Sequence, residues 1–246
     1  MRPVAVVTGA GRGLGRQVAE ALLRDGFVVG LLGRTREPLE QAAQSFGDAA
    51  LVLPTDVTEP DSVAAAFARV VDQWGRLDVL VNNAGSFGPQ GDPDEVSVAD
   101  WSATLAVNLT GSFLCGREAF RVMKGQDPQG GRIINNGSIS AHVPRPGSVA
   151  YTASKHGVTG LTKALALDGR RYSITCGQID IGNAATELTT GFADGALQPD
   201  GSRRPEPTFD GAHMAEAVLA MARLPLGVSV PAMTMVASGM PYGGRG

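Results

Sequence analysis

Short apolar runs alternate along the chain with longer segments in which apolar residues recur every three or four positions. Most of the short runs contain almost no polar residue, which is typical of strands in a parallel sheet that is covered on both faces. The longer segments have the period of amphipathic helices. The alternation therefore predicts an α/β fold, a doubly wound parallel sheet of about seven strands with helices on both faces.

The pattern also fixes approximate limits for each element. The strand candidates are Val4–Thr8, Phe27–Leu32, Ala49–Leu53, Val79–Asn82, Ile133–Asn136, Ile174–Ile179 and Met233–Val236. The helix candidates are Leu14–Arg24, Pro38–Phe46, Pro60–Trp74, Val98–Lys124, Val149–Leu167 and Gly211–Arg223. Because no linker divides them, we expect a single domain over residues 1–246. Thr189–Phe209 is long, irregular and rich in glycine, proline and charge, which predicts a substrate lid or a surface insertion.

Charge and composition narrow the class of protein. The formal net charge is −3 and no block of like charges occurs, which argues against a nucleic-acid or membrane-surface partner. No apolar run reaches the roughly 20 residues that a membrane-spanning helix needs, and no secretory signal precedes the first strand candidate. The two cysteines, Cys115 and Cys176, suit a reduced cytoplasmic protein. The three histidines have no ligand spacing, so no metal site is expected.

The first strand candidate runs into a glycine-rich turn, and the first helix candidate starts where that turn ends. Gly9, Gly13 and Gly15 would let the backbone turn tightly and approach a pyrophosphate closely. The free N–H groups at the helix start, from Leu14 onward, would meet the negative charge. Any tight turn favours glycine, but the position in the first βα unit predicts a Rossmann-type dinucleotide site.

The end of the second strand candidate bears on which dinucleotide binds. About 20 residues beyond the turn, NAD enzymes usually place an acid on the ribose 2′-hydroxyl. Here no acid ends the strand; Arg34 lies beside it and Arg12 lies in the turn. Two guanidinium groups would bind a 2′-phosphate strongly, so NADP(H) is preferred and NAD(H) is the alternative if both are solvated. Asp56 would accept from the adenine amino group, or cap the next helix.

A second group of residues predicts acid–base chemistry. Tyr151 and Lys155 stand four apart at the start of a helix candidate, so their side chains share one face. A nearby ammonium stabilises a phenolate and lowers the pKa of a tyrosine toward the working range. Ser138 follows the fifth strand candidate, at the edge where open α/β sheets bind ligands. Its hydroxyl would hydrogen-bond a substrate carbonyl oxygen.

Together these features closely resemble the short-chain dehydrogenase/reductase family, in its compact single-domain branch. The resemblance extends from Val4 to about Thr186. The motifs that carry it are Thr8-Gly9 through Gly15, Asn82-Asn83-Ala84-Gly85, Asn108, Ser138, Tyr151 and Lys155. It implies an oxidoreductase that transfers a hydride between NADP(H) and a carbonyl or alcohol substrate.

The resemblance also implies roles for individual residues. Tyr151 would be the general acid in reduction and the general base in oxidation. Lys155 would bind the nicotinamide ribose and lower the pKa of Tyr151, while Ser138 would orient the carbonyl. Asn108 would hold a water that links Lys155 to solvent; alternatively, it bonds to backbone inside its helix and bends that helix.

Further positions would line the cofactor cleft. They are Val57, Asn83, Ala84, Gly85, Gly182 and Thr186. The segment from Asp180 to Thr186 departs from the family pattern, because Ile181 stands where proline is usual. The region before the last strand also departs, with Pro231-Ala232-Met233 in place of the usual glycine pair.

Three questions stay open at the level of sequence. His142 and Arg145 follow Ser138 closely, and each would either touch substrate or be solvated. The helix candidate Val149–Leu167 is apolar on more than one face, and the family habit implies a homodimer or homotetramer. The alternatives to a dehydrogenase are a dinucleotide-binding regulator without turnover and an epimerase or dehydratase of the longer family branch.

Overall fold

A wholly parallel sheet of seven strands forms the centre of the molecule. The structure, a computed structural model, describes residues 2–185 and 195–241. The sheet strands are β1 (Val4–Thr8), β2 (Val28–Gly33), β3 (Ala50–Pro54), β4 (Val79–Asn82), β5 (Gly131–Asn136), β6 (Ile174–Gly182) and β11 (Ala232–Val236). Within the described ranges, four two-residue strands lie outside this sheet: β7 (Ala184–Ala185), β8 (Ala196–Leu197), β9 (Arg203–Arg204) and β10 (Phe209–Asp210).

Helices cover both faces of the sheet, as the sequence predicts. They are α1 (Gly13–Arg24), α2 (Arg36–Ala43), α3 (Pro60–Trp74), α4 (Val98–Leu105), α5 (Gly111–Gly125), α6 (Val149–Gly169) and α7 (Ala212–Arg223). Helix α1 packs against α2 and α7, whereas α5 packs against α3 and α6. Strands β1 and β4 are buried along their whole length, which explains their unbroken apolar sequences. In the described residues, no helix has the length and apolar character needed to span a membrane.

The strand order creates a crevice at one edge of the sheet. The order is β11-β6-β5-β4-β1-β2-β3, so the chain moves outward from β1 to β3 and then returns to place β4 beside β1. In open α/β sheets, ligands bind outside the carboxyl ends of the strands at such a reversal. The glycine turn after β1 and the Asn-Asn-Ala-Gly segment after β4 therefore lie side by side.

The prediction of one continuous helix over Val98–Lys124 is wrong in the middle of that segment. Helix α4 ends at Leu105, a π-helical turn occupies Ala106–Thr110, and α5 begins at Gly111. Single π turns inside helices are frequent at functional sites. This one contains Asn108, and its wider turn aims that side chain at the neighbouring loop.

Two further predictions need correction. Strand β6 continues past Ile179 to Gly182, because it stays paired with β11 as far as Val236. The predicted irregular stretch Thr189–Phe209 lies partly outside the described residues, and the described part is not wholly irregular. Strands β8 and β9 pair in antiparallel fashion, and β10 pairs with β7 in parallel. We call residues 195–210 the strap.

Candidate active site

The turn between β1 and α1 has the geometry that a pyrophosphate requires. Gly13 has a φ of +52°, and no atom lies within 4 Å of the position that a Cβ would occupy. A Cβ on Gly15 would collide with the carbonyl oxygen of Gly9 and the side chain of Asn83. Helix α1 has no acidic residue in its first turn, so its free N–H groups face an open, anion-compatible space. The residues present fit a dinucleotide.

Asn83 fixes the crevice by joining three neighbouring strands. Its backbone N–H and that of Ala84 both donate to the Thr8 hydroxyl, each at 2.9 Å. Its side-chain amide donates to the Thr8 carbonyl at 3.0 Å and accepts from Asn136 at 3.0 Å. The ends of β1, β4 and β5 are therefore held in one arrangement.

Asn108 holds the loop that follows β4. Its amide Oδ1 accepts from the backbone N–H of Ser86 at 2.8 Å, and its Nδ2 donates to the Ser86 carbonyl at 2.9 Å. Nδ2 also donates to the Ser154 hydroxyl at 3.0 Å, which ties the loop to α6. Gly85 lies against this amide, since a Cβ there would stand 3.3 Å from Oδ1. A water-holding role for Asn108 would therefore fall to its backbone carbonyl, which accepts from Ser112 at 2.8 Å.

The adenosine end of the crevice is basic. Arg12 and Arg34 are both exposed, and neither forms an ion pair within the described part of the chain. Asp56 accepts from the backbone N–H and the hydroxyl of Thr58, at 2.9 and 2.7 Å. These two bonds, with a smaller effect of the Arg34 charge, hold the pKa of Asp56 below its usual range. Asp56 thus orders the turn before α3 but does not cap that helix, whose N-cap is Glu59 without a side-chain bond.

Three further residues that the sequence predicts for the cofactor site pack closely against neighbouring residues. Val57 is buried and contacts the backbone of Gly111, where a Cβ would stand 2.9 Å from its methyl group. Leu14 packs close to Gly211 at the start of α7, and Gly182 lies against Met240 at the end of β6. Thr186 lies outside the described residues.

Ser138 and Tyr151 lie close together beyond the end of β5. The Ser138 side chain is near enough to lower the pKa of the Tyr151 phenol, and the ring of Phe87 lies 4.7 Å from that of Tyr151 between centroids. The Ser138 hydroxyl also accepts from the backbone N–H of Ser140 at 3.1 Å. The loop that connects β5 to α6 thus orients Ser138, whereas the loop after β4 packs against Tyr151.

Lys155 lies one helical turn beyond Tyr151. Its ammonium is 5.6 Å from the centre of the Tyr151 ring and donates to the Asn136 carbonyl at 2.7 Å. Burial lowers the pKa of Lys155 to about 8, although the charge of Asp180 opposes that shift. The lysine is therefore positioned on the same side of the sheet edge as the phenol, as the i to i+4 spacing predicts.

The pKa of Tyr151 shows a balance of opposed effects. Burial raises the pKa of Tyr151, and this is the largest effect; the negative charge of Asp180 raises it further. The Ser138 side chain and the charge of Arg145 lower the pKa of Tyr151, but they do not compensate. The sequence predicts that Lys155 lowers the pKa of Tyr151. This effect has to exceed the rise in pKa that desolvation of the phenolate causes.

Arg145 is bound by the strap. Its guanidinium makes two hydrogen bonds to Glu206, at 3.0 and 2.6 Å, and one to the side chain of Asn183 at 2.6 Å. Burial alone would raise the pKa of Glu206, but the bonds from Arg145, Asn183 and Gln198 lower it to about 2. Arg145 is therefore neither a solvated loop residue nor an open site for an anionic substrate.

Comparison with known proteins agrees with this geometry. The family model described as short chain dehydrogenase matches residues 3–196, which is more than half of the chain. The chain belongs to the short-chain dehydrogenase family. It is 38% identical over 189 residues to a 3beta-hydroxysteroid dehydrogenase from Mediterraneibacter gnavus, covering 76% of this chain and 67% of that protein.

Solved structures of the family resemble the chain over nearly its whole length. A 3-ketoacyl-(acyl-carrier-protein) reductase from Brucella melitensis, complexed with NADH, has a TM-score of 0.85 and 28% identity, covering 96% of this chain and 97% of that one. An actinorhodin polyketide ketoreductase with NADPH has a TM-score of 0.84 and 28% identity, covering 96% of each chain. Because these relatives hold different dinucleotides, they support a nicotinamide cofactor without choosing between the two.

Several residues of the site do not emerge from the family motifs. Asp180, Glu206 and the carbonyl of Asn136 each bind a residue beside the phenol. Asp180 interrupts an apolar strand, and a lone acid in such a run is the signal that identifies a buried polar contact. Glu206 gives no comparable signal, because its surroundings in the sequence are already polar. Among the described residues, no cluster of three or more His, Cys, Asp or Glu side chains is placed to hold a metal ion.

Proposed function

We propose that this protein interconverts a carbonyl and an alcohol by hydride transfer with NADP(H). The observation that carries the proposal is the meeting of Ser138, Tyr151 and Lys155 beside the dinucleotide crevice. A hydroxyl, a phenol and an ammonium at one sheet edge provide an orienting hydrogen bond, a proton and a nearby positive charge. The family membership supports an oxidoreductase, and the geometry supports these three residues as its centre.

The residues divide the acid–base work between them. In reduction, the Ser138 hydroxyl donates to the carbonyl oxygen of the substrate and holds it against Tyr151. The Tyr151 phenol then gives its proton to that oxygen as negative charge develops there. The reduced nicotinamide, when bound, supplies the hydride that reaches the carbonyl carbon. The positive charge of Lys155 stabilises the resulting phenolate. In oxidation, the phenolate takes the proton from the alcohol.

The preference for NADP(H) rests on Arg12 and Arg34. Both are exposed on the adenosine side of the crevice, and Asp56, which senses the charge of Arg34, accepts two hydrogen bonds from Thr58. A 2′-phosphate would gain charge-assisted hydrogen bonds from the two guanidinium groups. An acid directly at the end of β2, which would favour the 2′-hydroxyl of NAD, does not occur in the sequence. NAD(H) remains the second candidate.

We also propose that the protein works as a homodimer or homotetramer, as one domain, in the cytoplasm. Helices α5 and α6 expose large apolar side chains, including Phe113 at 46% and Leu167 at 61%. Covering them with a second copy would remove apolar surface from water. Cys115 and Cys176 are both free and buried. Burial raises the pKa of each thiol to about 12, so both are inert in a reducing compartment.

The test is the absorbance of reduced nicotinamide during turnover, with NADPH and NADH measured separately. The substrates are a panel of aldehydes, ketones and ketoacyl esters, and Tyr151→Phe is the matched variant. We expect turnover with NADPH and a loss of at least about 100-fold in Tyr151→Phe, the usual scale of general acid catalysis. The variant should retain NADPH binding, because it lacks only the phenolic oxygen.

The other outcomes separate the alternatives. Turnover with NADH alone would support the proposed hydride transfer but overturn the preference for NADP(H). Tight NADPH binding without turnover across the panel would favour a dinucleotide-binding regulator. Full activity in Tyr151→Phe would overturn the assignment of the proton donor.

A further inference from the structure

A buried carboxylate, Asp180, links the orienting serine to a histidine that the reaction described above does not use. Its side chain is 1% exposed. Oδ1 accepts from the backbone N–H of Ser138 at 2.9 Å and from Nε2 of Gln178 at 2.7 Å. Oδ2 lies 2.9 Å from Nε2 of His142. The Asp180 carboxylate therefore bridges the backbone of Ser138 and the imidazole of His142, and the His142 side chain is 44% exposed.

Gly137 shows that the structure is built around this carboxylate. A Cβ on Gly137 would collide with Oδ1 of Asp180 and would come within 2.6 Å of Nε2 of Gln178. No other residue type leaves room for Asp180 and Gln178 at this point. The acid is thus an integral part of the loop that presents Ser138, and its position is fixed from two sides.

The hydrogen bonds determine which nitrogen of His142 carries the proton. A carboxylate oxygen only accepts hydrogen bonds, and Oδ1 of Asp180 already accepts two from N–H groups. Nε2 of His142 must then be the donor to Oδ2. In the neutral imidazole the lone pair consequently resides on Nδ1, which is left as an acceptor.

We infer that Asp180 and His142 form a specificity-determining pair: Asp180 fixes the tautomer of His142, and Nδ1 of His142 accepts a hydrogen bond from a second hydroxyl of the substrate. The inference rests on the proposed function and names its substrate class, ketones that carry a hydroxyl away from the reacting carbon. His142 is accessible and lies next to the serine that holds the carbonyl, so one substrate can reach both.

Asp180→Asn tests the tautomer without changing the shape of the side chain. The asparagine oxygen must face the backbone N–H of Ser138, so its NH₂ group must face Nε2 of His142. Two donors cannot share a hydrogen bond, so the imidazole proton moves to Nδ1 and the acceptor becomes a donor. The ¹⁵N shifts of His142 should report protonation at Nε2 in the wild type and at Nδ1 in the variant. Protonation at Nδ1 in the wild type would overturn the inference.

Substrate preference tests the contact itself. The measurement is kcat/KM for 2-, 3- and 4-hydroxycyclohexanone relative to cyclohexanone, with 4-oxocyclohexanecarboxylate as an anionic comparison. We expect an advantage for at least one hydroxyketone. In His142→Gln, whose amide can still donate to Asp180 but which has no acceptor at the Nδ1 position, that advantage should fall about tenfold, the scale of one hydrogen bond. His213→Gln, at an exposed histidine of α7, should leave the ratio unchanged.

A double variant shows whether the two residues act as a pair. Asp180→Asn combined with His142→Gln should lose no more of the advantage than His142→Gln alone, because both changes remove the same acceptor. Additive losses, an unaltered ratio in His142→Gln, or a loss confined to the carboxylate substrate would each overturn the inference while leaving the proposed function intact. Absence of turnover with every ketone would overturn both. Should Asp180→Asn fail to fold, the half-exposed His142→Gln decides the question alone.

Discussion

Single residues show how little freedom the active site has. Gly137 is followed directly by Ser138 and has Asp180 and Gln178 where a side chain would be. Lys155, one helical turn beyond Tyr151, is anchored on the carbonyl of Asn136. Catalytic geometry of this kind depends on sub-ångström placement. A small change in the residues that support the backbone of Ser138 should therefore affect the reaction as strongly as a change in the residues that face the substrate.

Gly137→Ala should therefore damage both folding and catalysis. Overpacking of a filled site costs about 1–3 kcal/mol, and the displacement of Ser138 should lower kcat by about tenfold or more. Urea unfolding and steady-state kinetics measure the two effects. Gly160→Ala on α6 is the control, because nothing lies within 4 Å of its Cβ position. That change should stabilise the helix by up to about 1 kcal/mol. Normal activity in Gly137→Ala would contradict the rigid placement of Ser138.

Arg34→Gln should weaken NADPH selectively. Loss of a hydrogen bond to a charged group costs about 1.5–3 kcal/mol, which corresponds to a rise of roughly 10- to 150-fold in the Kd for NADPH. The Kd for NADH should change little. Arg36→Gln provides the control, since Arg36 is exposed and pairs with Glu40 on α2. Fluorescence titration of the wild type and both variants gives all six constants, and equal losses for both dinucleotides in Arg34→Gln would show that Arg34 does not bind the 2′-phosphate.

At the level of elements, the sequence predicts the regular parts well and the interruptions poorly. All seven sheet strands are found within three residues of their predicted limits, because each contains a short apolar run that stands out from the turns around it. The π turn at Asn108 follows instead from contacts with Ser86 and Ser154, residues distant in sequence. The two-residue strands of the strap are too short to have a periodic signal. Ser138, Tyr151 and Lys155 follow from motifs, whereas the partners of Asp180 depend on how strand ends meet.

The attachment of the strap makes a prediction about acid stability. The pKa of Glu206 is lowered to about 2 from its ordinary value of 4.5, so its contribution to stability is complete above about pH 4.5 and is lost as the pH falls toward 2. At pH 7, Glu206→Gln breaks a buried ion pair with Arg145, which typically costs about 3 kcal/mol in the free energy of unfolding. The difference between wild type and variant should shrink between pH 4.5 and 2.

Urea unfolding across that pH range measures the effect. Asp200→Asn, in an exposed pair with Arg204 on the same strap, should behave like the wild type. If the free energies of unfolding of wild type and Glu206→Gln differ by a constant amount from pH 7 to pH 2, the charge of Glu206 does not cause the difference.

At the scale of the whole molecule, the exposed apolar side chains of α5 and α6 predict self-association. Light scattering at micromolar concentration should give the mass of two or four chains. Leu167→Glu should shift the distribution toward the monomer, because a charge would then be buried in the interface. Val228→Glu, an exposed apolar position in the loop after α7, should not. A wild-type monomer at this concentration would contradict the proposal.

The strap has a consequence for how such a protein can diversify. The residues proposed for the reaction come from the stretch between Asn108 and Lys155, and the dinucleotide crevice comes mainly from the first 85 residues. The strap meets the reacting region through Arg145 and Asn183 and through the apolar cluster of Ile139, against which Phe209 packs, so the positions that make none of these contacts can vary without disturbing either. Evolution can therefore exchange one segment of about 15 residues to explore new substrates while the inherited chemistry is kept. Hybrid proteins that carry the strap of a relative, with Glu206 retained, would be a natural starting point for redesign.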